Sequence, residues 1–408
     1  MKKRKVKKRI INKLIFLILI VFIGYIGFNV YAYFDKSDKN DGSTINNVFN
    51  NNKDKKDDVP EEYKINLLAT GDGLIHSVIY RSYDKGNGIY DFTPALRYVK
   101  DIVKKYDIAY YNQETPTGDS SIPYSGYPMF YTPSKFVDAM KDSGFNTVSL
   151  SSNHSLDKGE KGILNTVKYF KSTDMLYNGM SDSEADRNNF IIKEKNNITY
   201  TMLSYTTLTN GLKVPNGKSY LLNLYDKEQV KKDIEAVRDK VDVLIVAMHW
   251  GVEYQNTPNE DQKDIAEYLS SLGVDIIIGN HPHILQPITK INNTIVMYSL
   301  GNFISNQYGG TNGDWNKLIG FMATLDITKT VNPDKTSKIE ISNLGGELIF
   351  TKYDGNPVTT AVHYNHTVIP FSMMKDETYL KDYKRLYEKY TNVLQSMGTT
   401  LNITPISN

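Results

Sequence analysis

The chain predicts an α/β fold, because apolar runs of strand length alternate with amphipathic runs of helix length from about residue 63 to residue 278. A second observation sharpens this. Five of the strand-like runs are each followed directly by a short polar motif rich in His, Asp, Glu and Asn. A third is the block of further strand-like runs after residue 303, where the alternation stops. That block predicts a second sheet that is partly antiparallel.

The elements follow in order. Tyr63 to Thr70 reads as a strand, and Pro94 to Tyr106 as a helix with Leu96, Val99 and Val103 on its apolar face. Ile108 to Asn112 is a second strand; Ser134 caps a helix running to Gly144, and Thr147 to Leu150 is a short buried strand. After a helix over Gly159 to Ser172, strands at Phe190 to Lys193 and Thr199 to Tyr205 flank a turn at Asn196-Asn197. Helix Lys227 to Asp239, strand Val241 to Met248, helix Glu260 to Leu272 and strand Asp275 to Ile278 complete the alternation. Phe321–Thr328, Lys338–Ser342, Glu347–Thr351 and Thr359–His363 are the later strands, and Glu377 to Met397 is a last helix on the outside.

Composition narrows the classes. With 408 residues and 40% hydrophobic content the chain can bury a full core. The absence of cysteine excludes disulfides and thiolate zinc sites. The net charge of +2 hides a cluster, since Lys2, Lys3, Arg4, Lys5, Lys7, Lys8 and Arg9 crowd the start. No run reads as a nucleic-acid-binding face; the basic cluster belongs to the apolar stretch behind it. From Leu14 to Phe34 that stretch is broken only by Gly24, Gly27 and Asn29. About 20 residues of helix cross a bilayer, so it suffices as a transmembrane signal anchor. The basic flank orients the amino terminus to the cytoplasm, with the bulk of the chain outside a cell membrane crossed once. A cleaved signal peptide, with its site near Val30-Tyr31-Ala32, is the alternative. The expected organisation is a basic tail over 1–13, the anchor over 14–34, a polar tether over 35–62, a globular domain over 63–372 and a helix with tail over 373–408.

The motifs carry the chemistry. They are Thr70-Gly71-Asp72-Gly73-Leu74-Ile75-His76, Asn112-Gln113-Glu114, Ser152-Asn153-His154-Ser155-Leu156-Asp157, His249-Trp250-Gly251 and Gly279-Asn280-His281-Pro282-His283. Each one alone is weak, because a Gly-Asp pair is commonly a turn and an Asn-His pair a loop hydrogen bond. His281-Pro282-His283 is stronger: two imidazoles one residue apart after an apolar strand have no packing use. Strand ends of an α/β sheet lie along one edge, so these side chains can converge. Imidazole, carboxylate and amide donors without thiolate suit Zn, Mn or Fe, and the ligand count allows two divalent ions.

The constellation resembles the CapA (PgsA) family of capsule biosynthesis proteins, which has a calcineurin-like metallophosphoesterase fold. The resemblance lies in Ala69-Thr70-Gly71-Asp72, Asn112-Gln113-Glu114, Ser152-Asn153-His154 through Asp157, His249-Trp250-Gly251-Val252-Glu253-Tyr254, Gly279 to Gln286 and Tyr298-Ser299-Leu300-Gly301-Asn302-Phe303. It implies a four-layer α/β/β/α sandwich behind the amino-terminal transmembrane helix. It also implies an envelope protein of poly-γ-glutamate synthesis or export, with capsule synthase or export subunits as partners. By the same resemblance Asp72 and His283 hold one metal, with His76 a further ligand. Glu114 bridges, where most metallophosphoesterases have Asp, and Asn153, His249 and His281 hold the second metal. His154 meets the scissile group as proton donor, oriented by Asp157. The pattern departs at His76, which lies four residues after Asp72 where the wider superfamily spaces the pair by one intervening residue. Two functions follow: a metal-dependent hydrolase acting on a phosphoester or an amide of an acidic polymer, or a non-catalytic, metal-stabilised assembly and polymer-binding subunit. A glycosidase built on Asp72, Glu114 and Asp157 is the third and weakest, because sugar hydrolysis needs two carboxylates and no imidazole set.

Overall fold

The computed structural model describes residues 59–307, 315–355 and 363–406. The expected basic tail and anchor lie outside the described residues, as do all but the last four residues of the tether and all but His363 of the run 359–363. Among the described residues no helix is long and apolar enough to cross a membrane.

The strands are β1 (Glu61–Gly73), β2 (Ile108–Gln113), β3 (Thr117–Gly118), β4 (Thr132–Pro133), β5 (Thr147–Ser149), β6 (Leu176–Asn178), β7 (Lys193–Lys195) and β8 (Ile198–Thr206). They continue with β9 (Val243–His249), β10 (Ile276–Asn280), β11 (Ile288–Ile291), β12 (Thr294–Met297), β13 (Asn302–Ile304), β14 (Ile319–Val331), β15 (Ser337–Asp354), β16 (Tyr364–Pro370) and β17 (Asn402–Ile403). The first large sheet runs β16-β15-β14-β1-β2-β5-β6, with β13 beside β1 and β17 beside β15; the second runs β11-β12-β10-β9-β8-β7.

Strand alternation builds the layers. In β1, Leu67 and Ala69 join one apolar cluster while Leu68 joins another; in β9, Ile245 and Ala247 join the first cluster while Leu244 and Val246 join a third. The shared cluster therefore lies between the sheets. Phe136, Ile163 and Val167 belong to the outer cluster of the first sheet, from helices α4 (Lys135–Asp142) and α5 (Gly159–Lys171), counted after three short helices over Ser77–Ser82, Thr93–Leu96 and Lys100–Val103. Val230, Ile234, Ala266 and Leu269 do the same for the second sheet. They come from α7 (Lys227–Val237) and α8 (Glu260–Ser271), which follow the short α6 (Glu184–Arg187). The result is a mixed α/β fold of two facing sheets with helices outside.

Three expectations change. Pro94 to Tyr106 is not one helix but the two short ones, because Val99 and Ile102 bond back three residues, to Leu96 and Val99, and tighten the turn. Leu96, Val99 and Val103 still share one buried face. The runs Lys338–Ser342 and Glu347–Thr351 fuse into the single strand β15. Gly345-Gly346 between them reads as a break, yet it allows close approach: a Cβ on Gly346 would lie 2.1 Å from the Met322 carbonyl oxygen. The later strands also do not build the second sheet. They extend the first, since β14 runs antiparallel along β1 from Glu61 to Ala69. The second sheet's antiparallel pairs are the local hairpins β7–β8 and β11–β12. In the former, Asn196 and Asn197 both take positive φ, as a two-residue hairpin turn requires. The last helix, α9 (Tyr383–Leu394), buries Tyr383, Leu386, Tyr390 and Leu394 in the cluster between the sheets.

Candidate metal centre

Parallel register brings the motifs level. Asp72 pairs with Asn112 across β1 and β2 and with Asn302 across β1 and β13, while His249 pairs with Asn280 across β9 and β10. Strand β1 pairs with β14 only as far as Ala69. Gly71 then lets it press onto Gly301, where a Cβ would sit 1.8 Å from the carbonyl oxygen, and the Asp72 N–H bonds that same oxygen at 3.0 Å. The irregularity delivers Asp72 to the edge shared by both sheets. His281 and His283 follow β10 with positive φ, 97° and 58°, so the backbone coils tightly and both rings turn inward.

All the predicted residues except His76 are buried. Asp72 accepts from the Asn112 amide at 2.8 Å and from the His281 N–H at 3.3 Å. His283 places Nδ1 3.2 Å from Asp72 Oδ2 and Nε2 3.5 Å from Glu114 Oε1. His249 Nε2 lies 2.9 Å from Asn153 Oδ1 and 3.9 Å from Glu114 Oε1, and its ring centroid is 4.9 Å from that of His281. Asp72, Glu114 and His283 thus offer three donor atoms mutually within 4.8 Å. So do Glu253, His281 and His283.

The electrostatics favour a cation. Burial pushes Glu114 well above the usual carboxylate range, against the pull of His283. His283 is displaced to about 9: burial pulls it down, but the carboxyl groups of Glu114 and Asp72 outweigh that, so the cluster as a whole retains protons. Burial lowers His281 to about 3 and His249 well below its ordinary value, helped by the neighbouring imidazoles. Both are therefore neutral and keep a lone pair. Among the described residues, both Glu114 oxygens and His281 Nδ1 have no hydrogen-bond partner, and the ion-pair partners of Asp72 and Glu114 are all imidazoles. Buried carboxylates so placed call for a positive charge, and these donors fit a divalent ion that replaces those protons.

His154 stands apart from this cluster chemically. Its Nδ1 is 2.8 Å from Asp157 Oδ2, which also accepts the Phe130 N–H at 2.6 Å. The Phe130 ring meets the His154 ring edge-on at 4.7 Å. The carboxylate fixes an Nδ1–H tautomer and leaves Nε2 as the working nitrogen. His76 lies beside the centre: its Nδ1 meets the Leu74 carbonyl at 3.1 Å and the Asn306 N–H at 3.2 Å, and its ring packs on Phe130 at 5.3 Å. It belongs to neither group of donors within 4.8 Å.

Sequence reasoning passed over three contributors. Glu253 stands four residues beyond His249, inside a quoted motif, and a carboxylate there was a readable signal. Asn112 holds Asp72, and Asn302 Oδ1 contacts His283 Nδ1 at 3.0 Å. Asn302 also lies inside a quoted motif, but its place beside Asp72 follows from the pairing of β13 with β1, which the motif alone does not show.

Comparison with known proteins agrees with these motifs. Residues 66–307 match the family described as bacterial capsule synthesis protein PGA_cap. The capsule biosynthesis protein CapA of Bacillus anthracis is 33% identical over 175 residues, 42% of this chain and 43% of that protein. The PGA biosynthesis protein CapA of Bacillus subtilis strain 168 is 34% identical over 173 residues, 42% of this chain and 45% of its own length. The match thus spans less than half of either relative. Among solved structures, the NAD nucleotidase NadN of Haemophilus influenzae superposes with a TM-score of 0.40 at 13% identity, covering 85% of this chain and 65% of that one. Since the family match takes in more than half of the sequence and includes every motif at the shared strand edge, the chain belongs to the bacterial capsule synthesis protein family PGA_cap.

Proposed function

We propose that this chain is a membrane-anchored envelope protein of capsule polymer synthesis or export whose outward domain is a metal-dependent hydrolase of the calcineurin-like metallophosphoesterase kind. The observation that carries the reading is the fully buried Asp72–Glu114–His283 set, with both Glu114 oxygens without a hydrogen-bond partner among the described residues. The capsule role is supported by the family and by the names of the two Bacillus relatives.

In this reading Asp72, Glu114 and His283 would hold one divalent ion, and Asn153, His249 and His281 a second, with Glu253 at the margin of His281 and His283. Bound ions supply Lewis-acid polarisation of a phosphoryl or carbonyl oxygen. A water molecule supplies the oxygen that replaces the leaving atom, and the protein's own residues handle the proton. His154 carries a proton to the leaving atom from Nε2, Asp157 holds its ring and stabilises its charged form, and the Phe130 edge keeps water from the ring's flank.

The test is metal analysis of the full-length chain paired with phosphodiester and γ-glutamyl hydrolysis assays. Two ions per chain with turnover supports the hydrolase, and loss of metal on His281→Ala supports the ligand set. Metal without turnover points to an assembly subunit, and no metal at all removes the reading.

A further inference from the structure

The rim of the metal centre presents a cation on an aromatic ring. Tyr254 follows Glu253 with a left-handed backbone, φ 64°, and its N–H bonds the Pro282 carbonyl at 2.8 Å. That bend lays the Tyr254 ring beside His283, with centroids 6.1 Å apart and planes 33° from parallel, while 41% of the residue stays exposed. Lys317, in the turn Asn316–Leu318, holds its ammonium 4.3 Å from the centre of the Tyr254 ring. The two residues are tied to the centre from both ends. Asn302 donates to the Lys317 carbonyl at 2.7 Å and contacts His283 through its side-chain oxygen, and Gln307 donates to the Tyr254 hydroxyl at 3.3 Å. Among the described residues Lys317 has no carboxylate partner. Tyr127, 77% exposed, meets the Phe130 ring at 6.3 Å, and Phe130 in turn abuts His154.

A lysine resting on an aromatic face keeps the outer side of its ammonium open, and its long side chain is already ordered before a ligand arrives. Asp72, Glu114 and Glu253 would offset most of the charge of two divalent ions, so the loaded centre keeps little positive charge for an anion and a cation at its rim adds to it. We propose that Lys317, presented on Tyr254, is a specificity-determining residue that pairs with a negative group of the substrate outside the metal ligands, and so selects anionic chains over neutral ones. This rests on reading the site as one that binds a capsule polymer.

The test titrates the full-length, Mn2+-loaded protein with a short fluorescent poly-γ-glutamate chain and with the same γ-linked chain neutralised as α-carboxamides, at several salt concentrations. Lys317→Gln is expected to weaken binding of the anionic chain about fivefold at low salt and to flatten its salt dependence, with manganese content unchanged. Lys317→Arg should keep wild-type binding and salt dependence. Equal binding and equal salt dependence in wild type and Lys317→Gln overturns the role of Lys317 while leaving the polymer reading in place. A wild-type protein that binds neither chain, or both equally, removes the anionic-substrate reading together with it.

Discussion

His154 and His366 show how burial assigns different work to the same side chain. His154 has a carboxylate behind it and an open nitrogen ahead, and none of the grouped metal donors includes it. His154→Ala is therefore expected to keep the bound metal and the melting temperature yet lower turnover by about 10²–10⁴-fold, the usual contribution of a positioned acid. Metal analysis and a melt beside the hydrolysis assay check this, and unchanged turnover would end the proton-donor role. His366, on β16, is fully buried, and its Nε2 lies 2.9 Å from Asn306 Oδ1. Burial first, then His363 and His76, depress it to about 3 from 6.5. The sign follows from proton counting. Between these values the unfolded chain binds a proton that the folded one refuses, so stability is complete above about 6.5 and is lost as pH falls towards 3. At about pH 5 the loss is roughly 2 kcal/mol. Denaturant melts of His366→Gln should start weaker at neutral pH and then fall less steeply with acid; parallel pH profiles would show that His366 is not responsible.

At the scale of elements, the features legible in the sequence were those with local causes. Period and turn residues located α5 and α8 within a residue and the β7–β8 turn at Asn196-Asn197, though β7 begins three residues later than expected, and Asn259 with Gln262 closes α8 in a reciprocal cap. The site was legible for the same reason, since each motif sits immediately after its own strand. Partner choice was not. That β14 lies along β1, or that β13 sets Asn302 beside Asp72, depends on pairing between segments more than 200 residues apart, which leaves no periodic trace. The crossing of β1 and β13 makes this testable. Gly71 meets the Gly301 carbonyl so closely that a methyl group cannot fit without moving one strand. Gly71→Ala is expected to destabilise the fold by about 3 kcal/mol or more and to displace Asp72, so metal content and melting temperature fall together. Retention of both would mean that the strands can separate there without disturbing the centre.

For the whole molecule, the two sheets solve a problem that neither solves alone. Each offers its strand ends along one edge, and the apolar cluster between them holds Asp72 and Glu114 from one sheet beside His249, His281 and His283 from the other. A centre so assembled forms only when both sheets are packed, which would couple any metal binding there to the folding of the entire domain. Where that domain works is a matter of the segment that precedes it. The basic residues Lys2 to Arg9 lie before the apolar stretch Leu14 to Phe34, and a polar run follows it. Positive charge is retained on the cytoplasmic side during insertion, so the domain from Glu61 onward is expected outside the membrane. A phosphatase reporter, active only in an oxidising exterior, and a fluorescent reporter, active in the cytoplasm, fused in turn after Asn408 distinguish the outcomes. Phosphatase activity that stays with the membrane fraction supports the anchor. Activity released to the medium means that the segment is cleaved near Ala32, and cytoplasmic fluorescence alone would place the metal centre on the wrong side for a polymer that leaves the cell.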